Sequence, residues 1–228
     1  MRVLGATALA SWAGLFWFLI ATDRTSLYLS SRTAWVVPMG AFILSIATFG
    51  RIASARVEEP EPISRRGTLG LAVIILPVVT VLGLPPTSLD SFAASRRSSL
   101  TSGSFVSSAE DIASGELSLV DVSGATRSRE AMHALVKRAG EQVSFTGFVT
   151  TDSTTPANEF VLTRFLISCC VADALSATVR VVGAPPGKFK EDQWVRVEGS
   201  MYPLGREVIV DASEVVGVDR PKHPYLNP

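Results

Sequence analysis

VSFTGFVT, residues 143–150, decides how the second half of the chain is read. Upstream of Val143 the apolar residues fall at helical spacing. From Val143 they alternate, which is the period of a half-buried strand. Four further β-like runs follow: Glu159–Val171 (EFVLTRFLISCCV), Ser176–Val182 (SATVRVV), Gln193–Met201 (QWVRVEGSM) and Glu207–Val218 (EVIVDASEVVGV). Turn-forming stretches separate them, including Pro185-Pro186-Gly187. Five strands within about 75 residues, with Gly147 and Gly199 inside strands one and four, predict a small all-β, OB-like five-stranded barrel over residues 143–228.

Working back toward the N-terminus, residues 106–142 predict a small helical segment. Ser107-Ser108-Ala109-Glu110 offers a capped start for a helix that runs to about Gly115. Leu117–Val122 alternates briefly and predicts a short strand. Arg127–Ala139 places Met132, Leu135 and Val136 at helical spacing, with Gly140 as the stop. Before this segment, residues 87–105 are rich in Ser and carry no apolar period, so a flexible linker is expected there.

Residues 1–86 are a different material. Three uncharged apolar stretches, about 3–22, 34–50 and 68–84, have the length and composition of transmembrane helices. Pro38 falls in the first turns of its span, whereas Pro77 is mid-span and predicts a kink. The first stretch is too long for a signal peptide and lacks a small-x-small cleavage site before Asp23, so a retained anchor is expected. Trp17, Tyr28 and Trp35 fall near the interfaces of the first two spans, while Trp12 is too deep for such a belt. Gly40, Gly67, Gly70 and Gly83 would permit close helix contacts.

Loop charge sets the orientation. The first loop carries Arg24 and Arg32; the second carries Arg51, Arg56, Arg65 and Arg66. The second loop and the N-terminus are therefore expected in the cytoplasm, and the C-terminal domain outside, on a multi-pass membrane protein. None of the three spans contains an ionisable residue, so they are expected to anchor or to pack against another protein rather than to transport alone.

Charge also bounds the partners. The chain has 21 Lys+Arg against 21 Asp+Glu, and the part after residue 87 has 14 basic against 17 acidic residues. A nucleic-acid-binding barrel needs a basic groove with stacking aromatics, so no nucleic acid is expected. No phosphate loop, nucleophile elbow or His-based metal motif occurs, and no enzyme is expected.

The only cysteines, Cys169 and Cys170, are adjacent and are followed by Asp173. On a strand their side chains would point to opposite faces, one buried and one exposed. Three readings stay open: packing, binding of a soft metal such as zinc through Cys169, Cys170 and Asp173, and redox switching. A closed zinc site would also need His133 and His223, or a second chain. A vicinal disulfide would join Cα atoms about 3.8 Å apart, closer than the usual range.

Three segments together carry a resemblance: FVLTRFLISCCVADA at 160–174, QWVRVEG at 193–199 and Pro221-x-x-Pro224-Tyr225-Leu226. With the N-terminal spans, they make the chain similar to the YcgQ-like bacterial membrane-protein family. That resemblance implies a permease membrane subunit, pairing with a separate multi-spanning permease in the lipid bilayer. The expectation is an accessory subunit of a two-component permease with an extracytoplasmic β domain. The alternative is a membrane-anchored metal- or redox-sensing module.

Overall fold

The computed structural model describes residues 2–55, 65–84, 87–96, 108–151, 155–205 and 207–227. The chain divides into two compact units, Met1–Thr87 and Ser88–Pro228.

Unit one is helical, as uncharged runs of this length demand. Helix α1 is Arg2–Ala21, α2 is Val36–Ala55 and α3 is Arg65–Gly83. Stretches Leu4–Ala21 and Val36–Ser54 are each long and apolar enough to cross a membrane; in α3 the apolar stretch is shorter, Gly67–Gly83. A Cβ on Gly40 would stand 2.6 Å from a ring carbon of Phe16, so α2 approaches α1 closely only because residue 40 is glycine. Gly70 and Gly83 have open space instead.

Gly5 lies beside the Arg51 guanidinium, so the start of α1 and the end of α2 share one end of the unit. Leu15 and Leu19 of α1 pack with Val78 of α3. The Trp12 indole N–H donates to the Ile74 carbonyl at 3.1 Å. Trp12 thus ties α1 to α3. Pro77 is accommodated inside α3.

Unit two begins within the expected linker. Residues Ser91–Arg96 form a short helix, α4, rather than flexible chain. Its neighbours Leu89, Ala93 and Ala94 pack on a small apolar cluster of Phe148, Phe165, Ile167, Trp194 and Tyr225. The Leu89 N–H donates to the Tyr225 hydroxyl, and the Ser91 N–H to Asp192 Oδ1. Residues 97–105 of the expected linker, and 106–107 of the expected helical segment, lie outside the described residues.

Three short helices precede the barrel: α5 Ala109–Ser114, α6 Leu119–Ala125 and α7 Arg129–Val136. Ser108 caps α5 by accepting from the Asp111 N–H. The strand expected over Leu117–Val122 is wrong: this stretch enters α6. Ser118 and Asp121 close a reciprocal capping box, and the buried Leu119, Val122 and Ala125 recur every third residue. A six-residue window with one alternation could not separate the two periods. In α7 the buried residues are Ala131, Ala134 and Leu135, while Val136 is exposed.

The barrel strands are β1 Gln142–Thr150, β2 Phe160–Leu166, β3 Leu175–Val182, β4 Trp194–Leu204 and β5 Glu207–Gly217. They close in the order β1-β2-β3-β5-β4, with β4 returning to β1. All pairs are antiparallel except β3 with β5. Closure removes the free edges that a five-stranded open sheet would expose.

At Gly199 the ladder slips by one residue, and a Cβ there would stand 2.2 Å from the Asp211 carbonyl oxygen. Glycine is therefore required where β4 bends against β5. Inward residues of the strands, among them Leu162, Val181, Val195 and Val210, share one apolar core with Ile112, Val122 and Leu135 of the three helices. The helical segment and the barrel are one packed body.

Candidate functional site

Strand β2 ends at Leu166, five residues earlier than its sequence suggests. The run Ile167-Ser168-Cys169-Cys170-Val171 is apolar enough to pass for strand, yet it leaves the sheet. Asp173 is the reason. Its Oδ1 accepts from the Ser168 N–H at 3.0 Å and its Oδ2 from the Cys169 N–H at 2.8 Å. A carboxylate that draws in main-chain N–H groups four and five residues back folds the segment into a turn. Residues Val171–Asp173 then form a 3-10 turn.

The expectation that strand geometry sends the two thiols to opposite faces is thereby corrected. Neither sulfur is buried. Cys169 is exposed, Cys170 is partly exposed, and both are thiols. Their sulfurs stand 3.7 Å apart. Neither cysteine belongs to the buried core of the barrel.

Electrostatics around the pair are uneven. The Asp173 carboxylate, hydrogen-bonded to the Cys169 thiol, and the neighbouring Cys170 push the Cys169 pKa up to about 11. Loss of the proton would put a second negative charge beside the first. Partial burial works against ionisation of Asp173. The hydrogen bonds it accepts from the Cys169 thiol and from the main chain outweigh this and hold its pKa below the ordinary value.

The structure brings Cys169, Cys170 and Asp173 into one turn, but not as metal ligands. Both carboxylate oxygens are engaged by main-chain donors. Among the described residues, no group of three or more His, Cys, Asp and Glu side chains is arranged to hold a metal ion, so His133 and His223 do not complete one. As they stand, these side chains do not fit a tetrahedral zinc site.

Behind the turn lies a scaffold that motif reading left without a role. The Arg164 guanidinium donates from Nε to the Pro224 carbonyl at 3.0 Å and from Nη2 to the His223 carbonyl at 2.9 Å. It also sits 5.8 Å from the centre of the Trp194 ring. Burial alone pushes its pKa down.

The tail it holds runs parallel to β2 for one bridge. Leu226 N–H donates to the Phe165 carbonyl, and Ile167 N–H donates to the Leu226 carbonyl. The three sequence segments that looked unconnected, around Arg164, Trp194 and Pro224-Tyr225-Leu226, thus meet two residues before Cys169. The signal was present: an arginine flanked by apolar residues in a buried strand needs acceptors, and a terminal Pro-Tyr-Leu supplies carbonyls.

Residues 110–228, which span the three short helices, the barrel and the tail, match the DUF1980 C-terminal domain family. No protein of curated function matches the chain.

Proposed function

This chain belongs to the DUF1980 family through its C-terminal domain, and we propose that it is a membrane-anchored accessory subunit of a permease. In this reading α1, α2 and α3 all span the bilayer, the N-terminus is cytoplasmic, and an OB-like barrel stands outside the bacterial cell membrane. One observation carries it: three helices of apolar side chains with no ionisable residue in any expected span. Ions and polar solutes crossing such a bundle would find no group to replace their hydration.

Two features support the multi-pass topology. Arg51 stands beside Gly5 at the Arg-bearing start of α1, and the Trp12–Ile74 and Leu15/Leu19–Val78 contacts make α3 run in the same sense as α1. That is the up-down-up course of three spans, which sends the following domain to the side opposite the N-terminus. The strand order, with a parallel β3–β5 pair and β4 closing on β1, supports the OB-like reading.

The outward faces of the helices are what a partner would use. On α2, Met39, Phe42, Ile43, Ile46 and Phe49 form an exposed stripe. Lipid satisfies such a face, and so does a helix of a multi-spanning permease. The test is native purification of the full chain, followed by reconstitution of the chain alone. Recovery of a multi-spanning membrane protein with it, and no solute flux from the chain by itself, is expected. Flux by the isolated chain would overturn the reading.

A second reading, an extracytoplasmic thiol module for sensing, is favoured by the paired sulfurs on an exposed turn. Its metal-binding form would require ligands from another chain. Its redox form uses only what the turn contains.

A further inference from the structure

We propose that Cys169 and Cys170 form a reversible dithiol/disulfide couple, closed by thiol–disulfide exchange with a disulfide oxidant. The inference rests on the thiol-module reading and gives it a chemistry. Three observations bear on it. The sulfurs stand 3.7 Å apart on the same turn, so the two are already neighbours before the bond closes. The pair is exposed, so an oxidant reaches it. Asp173 accepts from the Ser168 and Cys169 N–H groups and so holds both cysteines on this turn.

The order of events follows from the turn. The Asp173 carboxylate disfavours a thiolate at Cys169, so Cys170 makes the first attack as a thiolate, its proton having gone to water. That thiolate attacks one sulfur of the oxidant disulfide, forming a mixed disulfide and expelling the first thiolate of the oxidant. Cys169 sulfur then attacks Cys170 sulfur as its proton passes to water. The second oxidant thiolate leaves.

In total two protein thiols lose two electrons and two protons, and one disulfide becomes two thiols. The product ring spans adjacent Cα atoms, closer than an ordinary disulfide allows. It is therefore readily reduced, which suits a switch and not a structural staple. Closure also removes the thiol that bonds to Asp173, so oxidation alters the contacts that hold the turn after β2.

The experiment uses the full chain in detergent, equilibrated with reduced and oxidised glutathione over a range of ratios and read by intact and peptide mass. Wild type should lose two hydrogens within the 169–170 peptide and regain them with excess dithiol. Cys169→Ser should retain glutathione on Cys170, since nothing resolves the mixed disulfide. Cys170→Ser should carry at least about tenfold less adduct at neutral pH, the cost of starting from the protonated thiol. Thermal unfolding of each variant establishes that the barrel is intact. Wild type that keeps both thiols, or gives only glutathione adducts or chain-to-chain disulfides, overturns the proposal. Equal adduct on the two variants overturns it too.

Phenylarsine oxide, which bridges close thiols, separates the two levels of the claim. Capture of the arsenical without disulfide closure sinks the couple and leaves the thiol module standing. Failure of both sinks both.

Discussion

Asp173 and Arg164 show what single residues contribute here. Asp173 is a turn-maker first: it anchors Ser168 and Cys169 main-chain donors and thereby turns the chain out of the sheet. Its folded pKa lies below the ordinary carboxylate value, so between the two values the unfolded chain binds the extra proton. Stability from this group is complete above about pH 4 and is lost as pH falls through the lower, folded pKa. Denaturant unfolding from about pH 6 to about pH 3 should show this acid loss in wild type and a smaller one in Asp173→Asn.

The same carboxylate predicts a chemical result. Alkylation of Cys169 should climb steeply only as pH approaches about 11 in wild type, and at lower pH in Asp173→Asn. Equal profiles would contradict the hydrogen bond between them. Arg164→Ala should cost about 2 kcal/mol, because it leaves two carbonyls of the tail without a charged donor. Arg164→Lys should restore only part, since one ammonium cannot span the same fork. Chemical denaturation of all three forms checks the order.

At the element scale, the sequence was informative where a period persisted and misleading where it did not. All five strands were legible from alternation, and the barrel from their spacing. The overrun of β2 into Cys169-Cys170 had a physical cause: an apolar run continues past the point where a distant carboxylate, Asp173, redirects the backbone. The misread stretch Leu117–Val122 had its answer in Ser118 and Asp121, a capping pair three residues apart. Helix α4 was hidden because only Leu89, Ala93 and Ala94 commit it to the barrel, too few for a periodic signal.

Two substitutions test these elements. Ser118→Ala should lower stability by about 1 kcal/mol through loss of the α6 cap. Gly199→Ala should cost about 1–3 kcal/mol, because its methyl meets the Asp211 carbonyl across the bulge. Thermal or urea unfolding reads both, and a neutral Gly199→Ala would mean the bulge yields more easily than its backbone contacts imply.

For the whole molecule, two materials are joined in one chain: a helical unit whose exposed faces are apolar, and a barrel unit whose exposed turn carries the only two thiols. The helices of unit one and the barrel were legible because long uncharged apolar runs and alternating runs favour different elements. The site was only half legible. Sequence put Cys169, Cys170 and Asp173 together but left packing, metal binding and redox switching open; a side chain's hydrogen bonds to its own main chain leave no spacing signature distinct from ligation.

Since α1 begins and α2 ends at the Arg-bearing side, the account places the barrel across the membrane from the N-terminus. With no other cysteine in the chain, the 169–170 pair reports that placement directly. The measurement is labelling of sealed, right-side-out membrane vesicles with a membrane-impermeant maleimide after reduction with an impermeant phosphine. The account predicts equal labelling of intact and lysed vesicles. Labelling that appears only after lysis would place the barrel in the cytoplasm and contradict it.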